Sequence, residues 1–192
     1  MFLNKFFYAA LFLTLVDCSS NSKTKEQYTY QILNTLIDHW GASLEAPFIE
    51  AIEEKRSQKN DINSIVYEKP TIGIFPILEK EILDIPLDST IDSTYVKLME
   101  EFNTIKKDKS LNIEKLNSEN GYVLKYLDTT LTKQEEFNTY KWQFFFSNVA
   151  FNDNVDKAVI TLSIKHAAHY LCFLERRDSN WIVTHSRMLH IY

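Results

Sequence analysis

The stretch from Trp142 to Tyr192 constrains this chain more than any other. Apolar, β-branched and aromatic residues are dense in it, and Asn/Asp-rich breaks fall at strand-like intervals. Gln143–Phe151 reads as a strand that ends at Asn152-Asp153-Asn154, a turn signal. Lys157–His166 follows, with Ala158, Ile160, Leu162, Ile164 and His166 alternating onto one face. His169–Arg176 is apolar on both faces, the pattern of a central strand. Asp178-Ser179-Asn180 turns the chain again, and Trp181–Ile191 closes the set. The expectation is an antiparallel meander that carries most of the core.

The earlier part of the chain is helical in pattern. Tyr30, Leu33, Ile37 and Trp40 make one helical stripe, which Gly41 is expected to stop. Ala46-Pro47 then opens a shorter helix with Phe48, Ile49 and Ile52 as its apolar set. Residues 65–78 contain Pro70, Gly73 and Pro76, which confine any strands there to short or edge pieces, and Leu78–Asp84 reads as one helical turn. Ser93 is placed to cap a third helix with Tyr95, Leu98, Met99, Phe102 and Ile105 on its stripe. The fold class expected is α+β, with N-terminal helices packed on the C-terminal antiparallel β-meander. A length of 192 residues suits one domain.

Composition removes some functions. Hydrophobic residues are 45% and charged residues 24%, which argues against disorder. Net charge is −5 with no basic stripe, so nucleic acid is not an expected partner. The chain has 3 glycines and neither a GxGxxG nor a P-loop motif, so no cofactor is expected.

Residues 1–17 have the layout of an export signal. Lys5 supplies the positive start, and Phe6–Val16 is an apolar run too short to span a bilayer of about 30 Å as a helix. Leu15-Val16-Asp17-Cys18-Ser19-Ser20 resembles the lipobox of bacterial lipoproteins, with Asp17 where such boxes carry a small residue. The resemblance implies that Cys18 is acylated, with chains such as palmitate, and becomes the mature N-terminus. Residues 18–26 then form a flexible tether, and residues 27–192 a single α+β domain. Acylation of Cys18 would leave Cys172 without a disulfide partner, and its apolar neighbours mark it as a buried thiol.

The C-terminal stretch carries a second resemblance. The residues are Phe146-Ser147-Asn148-Val149-Ala150-Phe151-Asn152, Lys157-Ala158-Val159, Tyr170 to Arg177 and Asn180-Trp181-Ile182-Val183. They resemble the ending of small, uncharacterised lipoproteins of Bacteroidetes. The resemblance implies export, anchoring in the cell envelope and a helix-plus-sheet domain, and no activity. The chain departs from the pattern at Lys165-His166-Ala167-Ala168-His169, where such proteins tend to carry glycines. Alanine does not favour the positive φ of a tight turn, so a wider turn or a different strand pairing is expected there.

That corner also holds the one candidate site. With a turn near Asp178, His190 falls opposite His166, and His169 flanks them. Three imidazoles could hold a zinc ion or form a pH-sensitive patch. A register slip of one residue would break the cluster, and no HExxH motif supports it. His185 reads as a core histidine on the face of Trp181 and Val183. Ser147 and Ser163 lack a nucleophile elbow.

The function expected is that of a lipid-anchored protein at the periplasmic face or outer membrane of a bacterial envelope. It would be a non-catalytic binding or assembly module, its partners the membrane and another envelope protein or glycan. The alternative is a metal-dependent hydrolase using His166, His169 and His190.

Overall fold

The computed structural model describes residues 24–47, 49–50, 68–86 and 91–192. The signal, Cys18 and the tether up to residue 23 lie outside them. Helix α1 covers 24–47. It is followed by β1 (Thr71–Ile74), β2 (Ile77–Leu78), α2 (Thr94–Asn103), β3 (Lys109–Ser110) and β4 (Val123–Tyr126). Then come α3 (Lys133–Thr139), β5 (Trp142–Phe146), β6 (Ala150–Phe151), β7 (Lys157–Ile164), β8 (Ala168–Arg177) and β9 (Asn180–Ile191).

The class is α+β, and the sheet is mixed. Its order is β4-β1-β5-β7-β8-β9, with β6 also paired to β7. From β5 to β9 neighbouring strands are antiparallel, whereas β1 runs parallel to both β4 and β5. Thus the segment around Pro70 and Gly73 supplies short strands, as expected, and one of them, β1, is interior to the sheet. Pro70 sits just ahead of β1, where its missing N–H removes no ladder bond, and its carbonyl accepts from Val123 N–H at 3.3 Å. Leu127 and Tyr140 pack where a Cβ on Gly73 would stand. The turn expected over Leu78–Asp84 is not helical; residues 79–86 run extended across the sheet.

Each face of the sheet has its own core. Ala158, Ile160, Leu162 and Ile164 of β7, with Cys172 and Leu174 of β8, pack with Ile32, Leu33, Leu36 and Ile37 of α1. Val159, Leu171 and Phe173, on the opposite face, pack with Tyr95, Leu98, Met99 and Phe102 of α2. Burying each such side chain contributes about 1.5–3 kcal/mol. Trp181 is buried between the rings of Tyr28 and Phe151, at centroid distances of 5.9 and 5.8 Å.

Two helix boundaries differ from expectation. α1 begins at residue 24, inside the expected tether, and runs through Gly41 to residue 47. A glycine ends a helix by adopting positive φ, and Gly41 does not. Its bareness serves packing instead. A Cβ there would stand 2.4 Å from Cε2 of Tyr122, whose hydroxyl donates to the buried Glu45 at 2.8 Å. Lys69 reaches both Glu45 oxygens at 3.1 Å, tying α1 to the start of β1. At α2 Ser93 is the N-cap residue as expected, but its side chain makes no capping bond; Asp92 supplies the side-chain acceptor. Asp92 Oδ1 accepts from the N–H and hydroxyl of Thr94, both at 2.9 Å. The bond from Lys157 of β7, then those from Thr94, hold the Asp92 carboxyl at about 2.

Gly41→Ala should therefore destabilise the chain by about 1–3 kcal/mol, measured as a lower urea midpoint. A rise in stability, as at an exposed helical glycine, would refute the packing role.

Candidate functional site

Cross-strand pairing sets one row of side chains across the sheet. Phe145 pairs with Ser163, Ser163 with His169, and His169 with His190. Paired residues share a face, and this row lies one step beyond the part that α2 covers. The extended run 79–86 passes over it. Glu81 contacts His169 Nε2 at 3.4 Å with one oxygen and accepts from the Thr161 hydroxyl with the other. The His190 ring stands edge-on to His169 at 5.0 Å and to Tyr192 at 4.7 Å. The Tyr192 and Ser163 hydroxyls are hydrogen-bonded at 3.1 Å.

Two adjoining clefts open on this row. One, of about 330 Å³, is lined by Glu79, Glu81, Asp108, Ser147, Thr161 and His169. The other, of about 350 Å³, adds Lys165, His166 and Tyr192, and the two share Glu79, Phe145 and Ser163. Burial pushes the Glu79 carboxyl up, and the charges of Asp108 and Glu81 add to the rise. Burial pushes Glu81 up as well, but there the bonds from His169 and Thr161 and the charges of His169 and His190 outweigh it. The net shift is downward.

The predicted histidine cluster is partly assembled. His169 and His190 meet, but His166 does not join them; it sits on the β7–β8 hairpin at φ 60°, exposed. The difference comes from two irregularities of β9. Asp178 and Ser179, at φ 49° and 73°, make the tight hairpin, and Arg177 pairs with Asn180. A regular ladder from there would set His190 opposite Ala167. Register shifts at His169/Tyr170 and Phe173/Leu174 each absorb an extra β9 residue and bring His190 to His169. The shift at Phe173/Leu174 also turns His185 away from the face of Trp181 and Val183 and onto Phe173, ring centroids 5.9 Å apart. The corner is a three-residue turn, Lys165-His166-Ala167 between the paired Ile164 and Ala168, wider than a two-residue turn as expected. Ala167 N–H donates to Ile164 O at 3.0 Å, with His166 taking the left-handed conformation a glycine would otherwise supply.

Among the described residues, no group of three or more His, Cys, Asp or Glu side chains is disposed to hold a metal ion. Nucleophilic chemistry has little to work with. Cys172 is fully buried, and burial pushes its thiol up to about 12. The Ser163 hydroxyl is bonded to Tyr192, while His169 Nε2 faces Glu81. Glu79 and Glu81 went unnoticed in the sequence because they fall in a run read as a helical turn. Comparison with protein-family models, curated proteins and solved structures finds no match to this chain.

The Glu81 carboxyl titrates below its ordinary 4.5 in the folded chain, so its ionised form favours folding. That contribution is complete above the unfolded value and is lost as pH falls through the lower folded one. The urea midpoint of the wild type should fall more steeply than that of Glu81→Gln from about pH 5 to about pH 3. Equal slopes would show that the Glu81–His169–Thr161 contacts contribute nothing.

Proposed function

We propose that this chain is a lipid-anchored protein of the bacterial cell envelope, its folded α+β domain a non-catalytic module that binds or assembles with another envelope component. The anchor rests on the residue order of 1–23: a basic start, an apolar run, Cys18 and a polar tether. In this reading the N-terminal helix packed on the C-terminal ladder is a rigid support, and open clefts on the sheet are docking surfaces. The observation that carries the non-catalytic part is the engagement of the chemically competent groups. Ser163 is bonded to Tyr192, His169 contacts Glu81, and the Cys172 thiol is buried. Lipid attachment of this kind contributes about 0.8 kcal/mol per buried methylene, so several acyl chains make a firm anchor.

Cys18→Ala should move the protein from the membrane fraction to the soluble fraction of the cells that express it. Retention in the membrane would sink the lipobox reading.

The alternative reading, a metal-dependent hydrolase, needs ligands gathered at this end of the sheet; His169 and His190 meet there, while His166 stands apart on the hairpin. Zinc bound there would raise the melting temperature by mass action. The non-catalytic reading expects no change when zinc is added to metal-free protein. A rise abolished by His190→Ala would overturn it.

A further inference from the structure

The sheet has a strand position that the chain leaves unfilled. β1 and the residues after it run beside β5 as far as Glu79, which bridges Ser147 and accepts from Asn148 N–H at 2.8 Å. There the chain leaves the sheet and crosses its α2 face, where Leu83 and Ile85 pack with the second core. The strand it had accompanied does not stop. Its continuation, β6, goes on along β7, with Ala150 opposite Val159 and Phe151 opposite Ala158. Asn152 N–H donates to Lys157 O at 3.2 Å, so those two form a hydrogen-bonded pair of the antiparallel ladder. Such pairs alternate with non-bonded ones, so the N–H and C=O of Phe151 point away from β7. Neither bonds to another described residue, and among the described residues no strand lies on that side of β6.

A groove of about 670 Å³ opens on this edge, and Val149, Ala150 and Phe151 line it. The two helices flank it. Phe151 belongs to the core under α1 and Ala150 to the core under α2. Thr29 of α1 stands on one side, Thr104 and Ile105 at the end of α2 on the other, and Ser110 of β3 borders the gap. Where β6 begins, the Asn148 amide donates to the carbonyls of Leu78 and Lys107, both at 3.1 Å, and ties the β2–β3 pair to the sheet. The charges on the lining balance, Lys25 and Lys109 against Glu26 and Glu101, so they select neither a cation nor an anion. The strand edge does select. Its outward N–H and C=O match the main chain of another extended segment.

We propose that this slot takes an extended, uncharged segment of another polypeptide, added to the sheet as a strand beside β6. The edge from Val149 to Phe151 is about 10 Å long, so main-chain bonds are few and side chains must supply the rest of the affinity. Successive residues of the added strand face the two helices in turn. Those on the α1 side meet the apolar Leu78, Val149 and Phe151. The proposal rests on the reading of the domain as a binding module and names the partner's chemistry and place. It does not depend on the anchor, which Cys18→Ala tests separately.

The test is calorimetric titration of the purified chain with acetylated, amidated heptapeptides that alternate Thr with Val, Leu, Phe or Tyr. The same peptides with Lys or Glu in place of Thr form the charged arms. At least one uncharged heptapeptide should bind saturably, more tightly than its charged forms, and slow hydrogen exchange of the Phe151 amide by about tenfold or more. Only alternate N–H groups of an added strand bond to the edge. N-methylation of one of two adjacent central peptide amides should therefore weaken binding by about tenfold or more, and methylation of the other should not. Ser110→Trp, at an exposed position, narrows the slot and should weaken binding to a similar degree. Melting curves establish that it is folded; should it not fold, Thr104→Trp on the opposite wall decides. No binding, tighter binding of a charged arm, equal effects of the two methylations or equal affinity in a folded variant would overturn the proposal. So would a Phe151 amide already protected without peptide. Protection that rises with protein concentration would assign the slot to a second copy, and protection independent of it to a segment of this chain outside the described residues.

Discussion

The middle of the sheet is apolar on both faces, and the rest of the molecule follows from covering them. Ala158, Ile160, Leu162 and Ile164 point to one side of β7, and Val159 to the other, backed by Leu171 and Phe173 of β8. Left in water, either face would forfeit the burial that makes the strands stable. α1, about 36 Å long at 1.5 Å per residue, is long enough to cover its face from end to end. α2 has 10 residues and spans about 15 Å, whereas the 8 residues of β7 extend about 26 Å. The second face therefore cannot be covered by its helix alone. The chain answers by changing composition where the helix ends: Val159 gives way to Thr161 and Ser163, and Phe173 and Leu171 to His169. The polar row under Glu81 stands where the second helix runs out.

What happens on that row is decided by β9. A regular β9 would carry His190 past His169, and the two rings would not meet. The two register shifts move it by two places in all, the extra length of the 12-residue β9 over the 10-residue β8. Bulges re-aim side chains without changing the strands around them. Here one of them puts His185 on Phe173 and the other puts His190 beside His169 and Tyr192. The bonds that Glu81 accepts from His169 and Thr161, with the charges of His169 and His190, then outweigh the upward push of its burial.

Much of the ladder was legible in the sequence because its period-2 signal is strong. The alternation of Ala158 to Ile164 marked the α1 face, and the unbroken apolar run of β8 marked a strand with neighbours on both sides. The parallel pairing of β1 with β4 and β5 was not legible. β1 and β4 have 4 residues each, and their partners are far apart in sequence, so no local pattern announces the pairing. Gly41 misled because a helix-stopping glycine and a glycine under a packed ring look the same in one dimension. The bulges carry no Gly or Pro signal at Thr184 or Leu189, so the histidine register could not be read. Glu81 was invisible for a different reason. Its role depends on an irregular segment crossing over Thr161 and His169, which are 80 residues or more away in the chain.

α1 relates the two ends of the ladder to the N-terminus. Tyr28, early in α1, packs on Trp181 beside the β8–β9 hairpin, and Trp40, later in it, stacks on Tyr170 at 4.0 Å near the histidine end. α1 therefore enters the fold at the hairpin end. If Cys18 is acylated, only a short segment separates the lipid from residue 24, so the hairpin end is held near the membrane. The Glu81–His169 clefts are carried to the far end, about 33 Å away along the 10 residues of β8. The same helix that covers one face of the core thus sets which end of the sheet lies nearer the N-terminus.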